Sequence, residues 1–201
     1  MDRGGLTPPT DPYEELRAVL EDRDYLILDT ETTGLDRPEL VSLAAVNHRG
    51  ETLFNEYVRP GKPIEPGATA LTGITNEAVR DRPAYPTFHE AIVHLLTGRR
   101  VVIYNAAFDL AVLENTAARY SLVAPSFAPW CAMRWFSRVY GQWDPVRSDY
   151  TWQRLAVAAD YFGIAPGAAH DALGDCLTTW RFLEGALARA RAARPNMDRL
   201  L

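Results

Sequence analysis

The stretch LILDTETTGLD, residues 26–36, changes from apolar to acidic within four positions. Its apolar start predicts a buried strand over residues 25–29, the first of the fold. Residues two apart in a strand share a face, so Asp29 and Glu31 are expected to point the same way. The triplet DTE alone also fits a polar turn after a strand, so the choice depends on the rest of the chain.

Length and composition predict a single domain with a short arm at either end. We expect a disordered arm over residues 1–10, a folded domain over 11–190 and a tail over 191–201. The 47% hydrophobic content is enough for a sizeable core. No apolar run is long enough to span a bilayer, and no hydrophobic signal core is present, so we expect a soluble, cytoplasmic protein without membrane contact.

The net charge and the cysteine content exclude few classes of protein. The net charge of -5 does not by itself favour a nucleic-acid-binding protein, but bound metal ions would change the sign locally. Cys131 and Cys176 lack the spacing of a metal site or disulfide framework, so both are expected to be packed thiols in a reducing compartment.

The order of predicted elements indicates an α/β sandwich around a mixed sheet. Residues 40–60 predict two strands joined by a turn at Arg49-Gly50, which makes them antiparallel neighbours. Strands and helices then alternate, which favours parallel pairing at the other end of the sheet. The further predicted elements are a helix after the cap Asp11, a loop over 61–75, helices from Thr75 or Asn76 and over 85–96, a strand over 99–104, a helix over 108–120, a strand and helix within 130–140, and helices over 152–162 and 173–187.

Two other segments place acidic residues beside predicted strand and helix ends. Asp109, in YNAAFDL, lies in the first turn after the fourth strand, where a carboxylate can simply cap a helix. If the first and fourth strands run parallel, Asp29 and Asp109 lie on one rim of the sheet. His170 and Asp175, in GAAHDALGDC, are five apart and cannot share one helix face, so His170 is expected before the helix, able to lean over Asp175.

These segments together supply four carboxylates and one histidine. Four unpaired carboxylates at close range repel one another, and two divalent cations would neutralise them. All-oxygen ligation suits Mg²⁺ or Mn²⁺, and a pair of such ions is the usual apparatus for displacement at a phosphodiester. A nearby histidine can take the proton from the attacking water.

The three segments also resemble the motifs of a known family, the DEDDh or DnaQ-like 3′–5′ exonucleases, which include epsilon-type proofreading subunits. DTETTGL resembles the first motif, YNAAFD the second and HDALGD the third, and the similarity extends over residues 22–188. The resemblance implies a ribonuclease-H-like fold with a mixed five-stranded sheet flanked by helices. It implies an enzyme that releases nucleoside 5′-monophosphates from DNA 3′ ends during proofreading or repair.

The resemblance also implies roles for single residues. Asp29, Glu31 and Asp175 would hold one metal ion, Asp29 would bridge to a second, and Asp109 would hold the second through water. His170 would be the general base, with activity rising toward mildly alkaline pH. The implied substrate contacts are Thr30, Thr32, Gly34, Leu35, Asn105 and Phe108. For Phe108, ordinary core packing is an equally good interpretation.

Three points stay open at the level of sequence. Tyr104 stands where the second motif often has histidine, which affects substrate contact rather than the metal ligands. Single-stranded DNA is the expected substrate and a DNA polymerase subunit a possible partner, but trimming of RNA 3′ ends by the same fold is an alternative. A non-catalytic module that binds nucleic-acid ends or a polymerase is a second alternative, although no metal ligand is missing.

Overall fold

A five-stranded mixed sheet forms the centre of the fold in the computed structural model, which describes residues 11–21, 23–165, 167 and 170–192. Its strands are β1 (Tyr25–Thr32), β2 (Leu40–Asn47), β3 (Thr52–Tyr57), β4 (Arg100–Ile103) and β5 (Ala128–Cys131), in the spatial order β3-β2-β1-β4-β5. Pairing is antiparallel from β3 through β2 to β1, and parallel from β1 through β4 to β5. The predicted mixed sheet, antiparallel at one end and parallel at the other, is confirmed.

Helices pack on both faces of this sheet. They are α1 (Pro12–Leu20), α2 (Pro66–Thr72), α3 (Asn76–Val79), α4 (Tyr85–Leu96), α5 (Ala106–Arg119), α6 (Ala132–Tyr140), α7 (Leu155–Tyr161) and α8 (Ala172–Ala192). Two short strands, β6 (Trp143–Asp144) and β7 (Asp149–Tyr150), form a separate hairpin between α6 and α7. Within the described ranges, no helix combines the length and apolar character that crossing a membrane requires.

Buried apolar side chains form a cluster on each face of the sheet. Ile27 of β1 belongs to one cluster with Trp135 of α6 and Phe182 of α8. Its neighbour Leu28 belongs to the other, with Leu113 of α5. Because both faces are covered, β1 and β2 need apolar residues at almost every position, and this explains their nearly unbroken apolar sequences.

The structure differs from the sequence-based expectations at four places. Strand β1 continues to Thr32 rather than ending at Asp29, so the DTE triplet is strand and not a turn. The predicted loop over residues 61–75 contains α2. Trp152, which was predicted to begin the helix over residues 152–162, precedes α7 and is 59% exposed. The β6–β7 hairpin was not anticipated, because its strands are only two residues long.

Most predicted element positions are confirmed. Asp11 caps α1 by accepting a hydrogen bond from the Tyr13 amide at 2.9 Å, with Pro12 as the first helical residue. The β2–β3 turn and the predicted helix over 85–96 also lie where expected. The arm predicted over residues 1–10 and most of the predicted tail, residues 193–201, lie outside the described residues.

Candidate active site

Three carboxylates, those of Asp29, Glu31 and Asp175, meet at the carboxyl end of β1. Each offers an oxygen atom, and these three atoms all lie within 4.8 Å of one another. Asp29 and Glu31 share a face of β1, and a register shift in the β1–β2 pairing follows Glu31. Asp175 lies in the first turn of α8. The first and third acidic segments of the sequence therefore form one cluster.

Helix α8 packs against β1 and β2 through small side chains. Ala172 is buried in the same apolar cluster as Ile27, and the Cys176 thiol donates to the carbonyl oxygens of Ile27 and Ala44 at 3.6 and 3.4 Å. A bulkier side chain would increase the distance between helix and sheet. Burial raises the pKa of the Cys176 thiol well above its usual range, so it stays protonated. Cys176 is a packed thiol that sets the position of its neighbour Asp175.

Asp109 reaches the same region from α5. It lies in the first helical turn after β4. Strand β4 runs parallel to β1, which is the condition for Asp29 and Asp109 to lie at the same edge of the sheet. The side chain is buried, and the Thr30 hydroxyl donates to its Oδ1 at 2.7 Å. The charge of Asp109 is, after burial, the main cause that raises the pKa of Asp29. Asp109 is thus close enough to act on the cluster electrostatically.

Burial and mutual repulsion raise the pKa of these carboxyl groups. Loss of contact with water is the largest cause for all four. Burial, followed by the charges of Asp175, Asp171 and Asp109, raises the pKa of Glu31 from 4.5 to about 8. The pKa of Asp29 lies well above its usual range for the same reasons. An ionised cluster therefore needs positive charge from outside the protein.

His170 lies in the turn before α8, as its spacing from Asp175 predicts. Its φ of 60° is a left-handed conformation that non-glycine residues adopt rarely. The His170 backbone amide donates to the Asp175 carboxylate, and this bond lowers the pKa of Asp175 against the larger upward effect of burial. The ring is exposed and its charge also acts on Asp175. This turn therefore places an imidazole beside the acidic cluster.

The donor set fits divalent cations that prefer oxygen. All the candidate ligand atoms are carboxylate oxygens, which suit Mg²⁺ or Mn²⁺ better than zinc. In the part of the chain that the structure describes, no lysine or arginine forms an ion pair with any of the four carboxylates. Such uncompensated acids at close range are a strong physical argument for bound metal.

Three of the residues expected to contact substrate are accessible. Leu35 is 84% exposed on the loop after β1. Asn105 is exposed at the N-terminus of α5. Phe108 is partly buried against the cluster that covers the α5 face of the sheet, so core packing accounts for part of its surface. Leu35 lies on the loop after β1, and Asn105 and Phe108 lie at the start of the helix after β4, so all three follow the strand ends at the edge that holds the acidic cluster.

The other three are buried and have structural roles. Thr30 binds Asp109, and the Thr32 hydroxyl donates to the Gly34 carbonyl oxygen at 3.0 Å. Gly34 has a φ of 152°, and a Cβ atom there would lie 2.2 Å from Cδ of Glu65. Their side chains therefore shape the loop that presents Leu35.

Asp171 is a residue of the site that the sequence analysis missed. Its carboxylate accepts from the Gly174 amide at 2.9 Å and so caps α8. Its charge also raises the pKa values of Glu31 and Asp29. An aspartate three residues before Gly174 at a helix start was the available signal. No sequence signal indicated that Thr30 binds Asp109, because that contact depends on the packing of α5 against β1.

Comparison with known proteins gives a consistent result. The family model RNase T, described as "Exonuclease", matches residues 26–183, which is most of the chain. An uncharacterized exonuclease, CP81 of Escherichia phage 186, is 38% identical over 183 residues, covering 87% of this chain and 92% of that protein.

The DNA polymerase III subunit epsilon of Buchnera aphidicola is 32% identical over 104 residues, 45% of this chain. The chain covers 43% of that relative and only 8% of a PolC-type polymerase from Streptococcus sanguinis. Among solved structures, exonuclease X in complex with 5′ overhanging duplex DNA has a TM-score of 0.61 and 25% identity. That alignment covers 84% of this chain and 93% of exonuclease X.

Proposed function

This chain belongs to the exonuclease family that the RNase T model describes, and on that premise we propose that it is of the DEDDh type and removes nucleotides from the 3′ ends of DNA. The products are nucleoside 5′-monophosphates, and the reaction uses two divalent ions, Mg²⁺ or Mn²⁺. One observation carries the proposal: oxygens of Asp29, Glu31 and Asp175 converge within 4.8 Å, without any ion pair to a described lysine or arginine.

The protein's own residues divide the work between holding metal and moving protons. Asp29, Glu31 and Asp175 would hold one ion, and Asp29 and Asp109 would hold a second. When bound, divalent ions neutralise the carboxylates and stabilise the negative charge that develops on the phosphodiester. Thr30 fixes the orientation of Asp109, as outer hydrogen-bond partners of ligands commonly do.

His170 is the general base of this proposal. His170 is exposed and lies in the turn before α8, where its charge acts on Asp175. A neutral imidazole accepts the proton of the attacking water, and its position outside the helix lets it move with substrate. The bond from its backbone amide to Asp175 fixes that turn on the ligand it serves.

DNA is the substrate that the comparisons support best. Exonuclease X was solved with duplex DNA, and the relatives include polymerase III proteins. Leu35 and Phe108 provide apolar surface beside the cluster, and stacking on such surface grips the terminal bases of a single strand without regard to sequence. A role in proofreading or repair is part of this proposal, with a DNA polymerase as one protein partner to be tested.

The test is one assay with matched DNA and RNA oligonucleotides, single- and double-stranded, each with Mg²⁺ or Mn²⁺. We expect metal-dependent shortening from the 3′ end of DNA, abolished by EDTA. Faster trimming of RNA than of DNA would replace the substrate assignment and leave the chemistry in place. Binding without hydrolysis under every condition would instead support a non-catalytic module.

A further inference from the structure

A basic cleft opens at the end of β3. It has a volume of about 340 Å³, and the charged side chains that line it are Arg59, Lys62, Arg80 and Glu77. Three cations against one acid stand out in a protein whose overall net charge is -5. None of these four residues is among the predicted catalytic, metal-binding or substrate-binding residues.

Strand directions place this cleft on the same edge of the sheet as the acidic cluster. Since β3 is antiparallel to β2, and β2 to β1, the chain leaves β3 at the edge where β1 ends. Neighbouring strands lie about 5 Å apart, so the ends of β1 and β3 are on the order of 10 Å apart. Arg59 follows β3 by two residues. A polymer held at the acidic cluster can therefore continue into the basic cleft.

The loop after β1 connects the two sites directly. Lys62 Nζ donates to the Asp36 carbonyl oxygen at 2.5 Å. Asp36 follows Leu35, the exposed apolar residue beside the catalytic strand. The order along the sheet edge is thus acidic cluster, Leu35 and basic cleft.

The walls of the cleft are fixed by hydrogen bonds and by a small core. The Asn76 side chain accepts from the Ile64 amide at 2.9 Å and donates to the Ile64 carbonyl oxygen at 3.3 Å. Gly61 donates to Glu39 at 2.6 Å through its amide and accepts from Arg119 at 3.1 Å. Beneath them Ile64 packs in a small apolar cluster, whose buried members are Val41, Ile64, Ile74 and Val79. A rigid cleft pays less entropy on binding than a flexible one.

Its cations are available for a ligand. Within the described ranges, neither Arg59 nor Lys62 forms an ion pair, and Arg80 lies 3.7 Å from the exposed carboxylate of Asp81. A pair as exposed as that one contributes little and yields readily to a competing anion. Excess positive charge in a preformed cleft fits the repeated phosphates of a nucleic acid.

We propose that this cleft, defined by Arg59, Lys62 and Arg80, binds backbone phosphates of the nucleic-acid substrate away from the scissile bond. The inference rests on the proposed function, because it extends the same substrate along the same edge. Two sources supply this chemistry: the strand being cleaved, at nucleotides upstream of its 3′ end, or the complementary strand of a duplex beyond Leu35.

The test measures DNA binding by fluorescence anisotropy with Mg²⁺ held constant, in the Asp29→Asn background to prevent cleavage. The variant is Arg59→Gln with Arg80→Gln; Lys62 is left intact because it holds the Leu35 loop. Arg49→Gln is the matched control, since Arg49 is exposed in the β2–β3 turn at the opposite edge of the sheet. The probes are a single strand and a duplex with a recessed 3′ end.

Each removed phosphate contact lowers the slope of log affinity against log salt by about 0.9 on duplex and about 0.7 on single strands. The double variant should therefore lose close to two units of slope on duplex and bind about tenfold more weakly at low salt. Weaker binding of both probes would show that the cleft holds phosphates of the strand being cleaved. Weaker binding of the duplex alone would show that it holds phosphates of the complementary strand. Affinity and slope equal to those of the Arg49→Gln control on both probes would overturn the proposal. Hydrolysis by the unmodified protein, assayed in parallel, separates that failure from a failure of the proposed function.

Discussion

Replacing Glu31 by Gln should stabilise the metal-free protein while abolishing its exonuclease activity. Glu31 is 8% exposed, and burial followed by the charges of its acidic neighbours raises its pKa to about 8. Gln has the shape of a protonated glutamate and never ionises. The substitution therefore removes an electrostatic cost that the protein bears only when metal is absent.

The magnitude follows from the pKa of Glu31 in the two states. The ordinary pKa of Glu31 is 4.5, so the carboxyl group is ionised in the unfolded chain at pH 7 and becomes protonated on folding. The cost of that protonation corresponds to about 2.5 pH units. At about 1.4 kcal/mol per unit this is about 3 kcal/mol, and at pH 5 it is below about 1 kcal/mol. Because the pKa of Glu31 is higher in the folded protein, its contribution to the free energy of unfolding is fully present below the unfolded-state pKa of 4.5. That contribution is lost as the pH rises toward the folded-state pKa of about 8. The advantage of Glu31→Gln should accordingly grow between pH 5 and pH 7.

The assay is urea unfolding of both proteins in EDTA at pH 5 and pH 7. For a chain of this length, a gain of about 3 kcal/mol corresponds to a rise in melting temperature of about 6 to 12 °C. Adding Mg²⁺ at pH 7 should stabilise the unmodified protein more than the variant, because the variant lacks one ligand. The matched control is Glu77→Gln, an exposed acid outside the acidic cluster.

Two results would refute this reasoning. The first is a Glu31→Gln protein no more stable than the unmodified protein in EDTA at pH 7, which would mean that the acids do not repel one another. Alternatively, its advantage could be the same at pH 5 as at pH 7, which would assign the gain to packing rather than to ionisation.

Three further predictions concern the residues around the carboxylates. Thr30→Val removes the hydroxyl that donates to Asp109, so activity should fall about 10- to 100-fold with a weaker dependence of rate on Mg²⁺ at low concentration; unchanged Mg²⁺ titration and rate would contradict that positioning role. His170→Gln should lower the single-turnover rate about 10²- to 10⁴-fold and flatten its rise from acidic to mildly alkaline pH, whereas an unaltered pH profile would exclude His170 as the base. Gly34→Ala places a side chain on a backbone with φ of 152° and against Glu65, so urea unfolding should show a loss of about 1 to 3 kcal/mol; equal stability would mean that the loop relaxes freely.

The sequence predicted the central architecture because its strands are long and strongly patterned. β1 and β2 carry apolar runs, a turn at Arg49-Gly50 joins β2 to β3, and the antiparallel pairing of these three strands follows from their direct succession. The parallel pairing of β4 with β1 agrees with the alternation of helices and strands that begins after β3. That pairing is what brings Asp109 to the rim where Asp29 lies.

Short elements were predicted less well, since few residues carry their pattern. Helix α2 has seven residues, none of them buried, so it shows no apolar face in the sequence. The β6–β7 hairpin has two residues in each strand and turns Trp152 outward. The apolar run that predicted the first strand ends at Leu28, but β1 continues to Thr32 because β2 supplies partners up to Leu40.

The candidate site was predictable where it consists of charged residues and not where it depends on packing. The cluster of Asp29, Glu31 and Asp175 joins two of the three acidic segments whose chemistry predicted a shared site. The role of Thr30 depends on how closely α5 approaches β1. That approach is set by small residues whose packing partners lie far away in the sequence.

The most direct test of the central claim is hydrolysis of 5′-labelled DNA by the unmodified protein and by Asp29→Asn, with Mg²⁺, after both are shown to melt cooperatively. The account predicts progressive shortening from the 3′ end and release of nucleoside 5′-monophosphates by the unmodified protein, and a loss of at least about a thousandfold for the variant. Equal rates for the two proteins, or products that carry a 3′-phosphate, would contradict it.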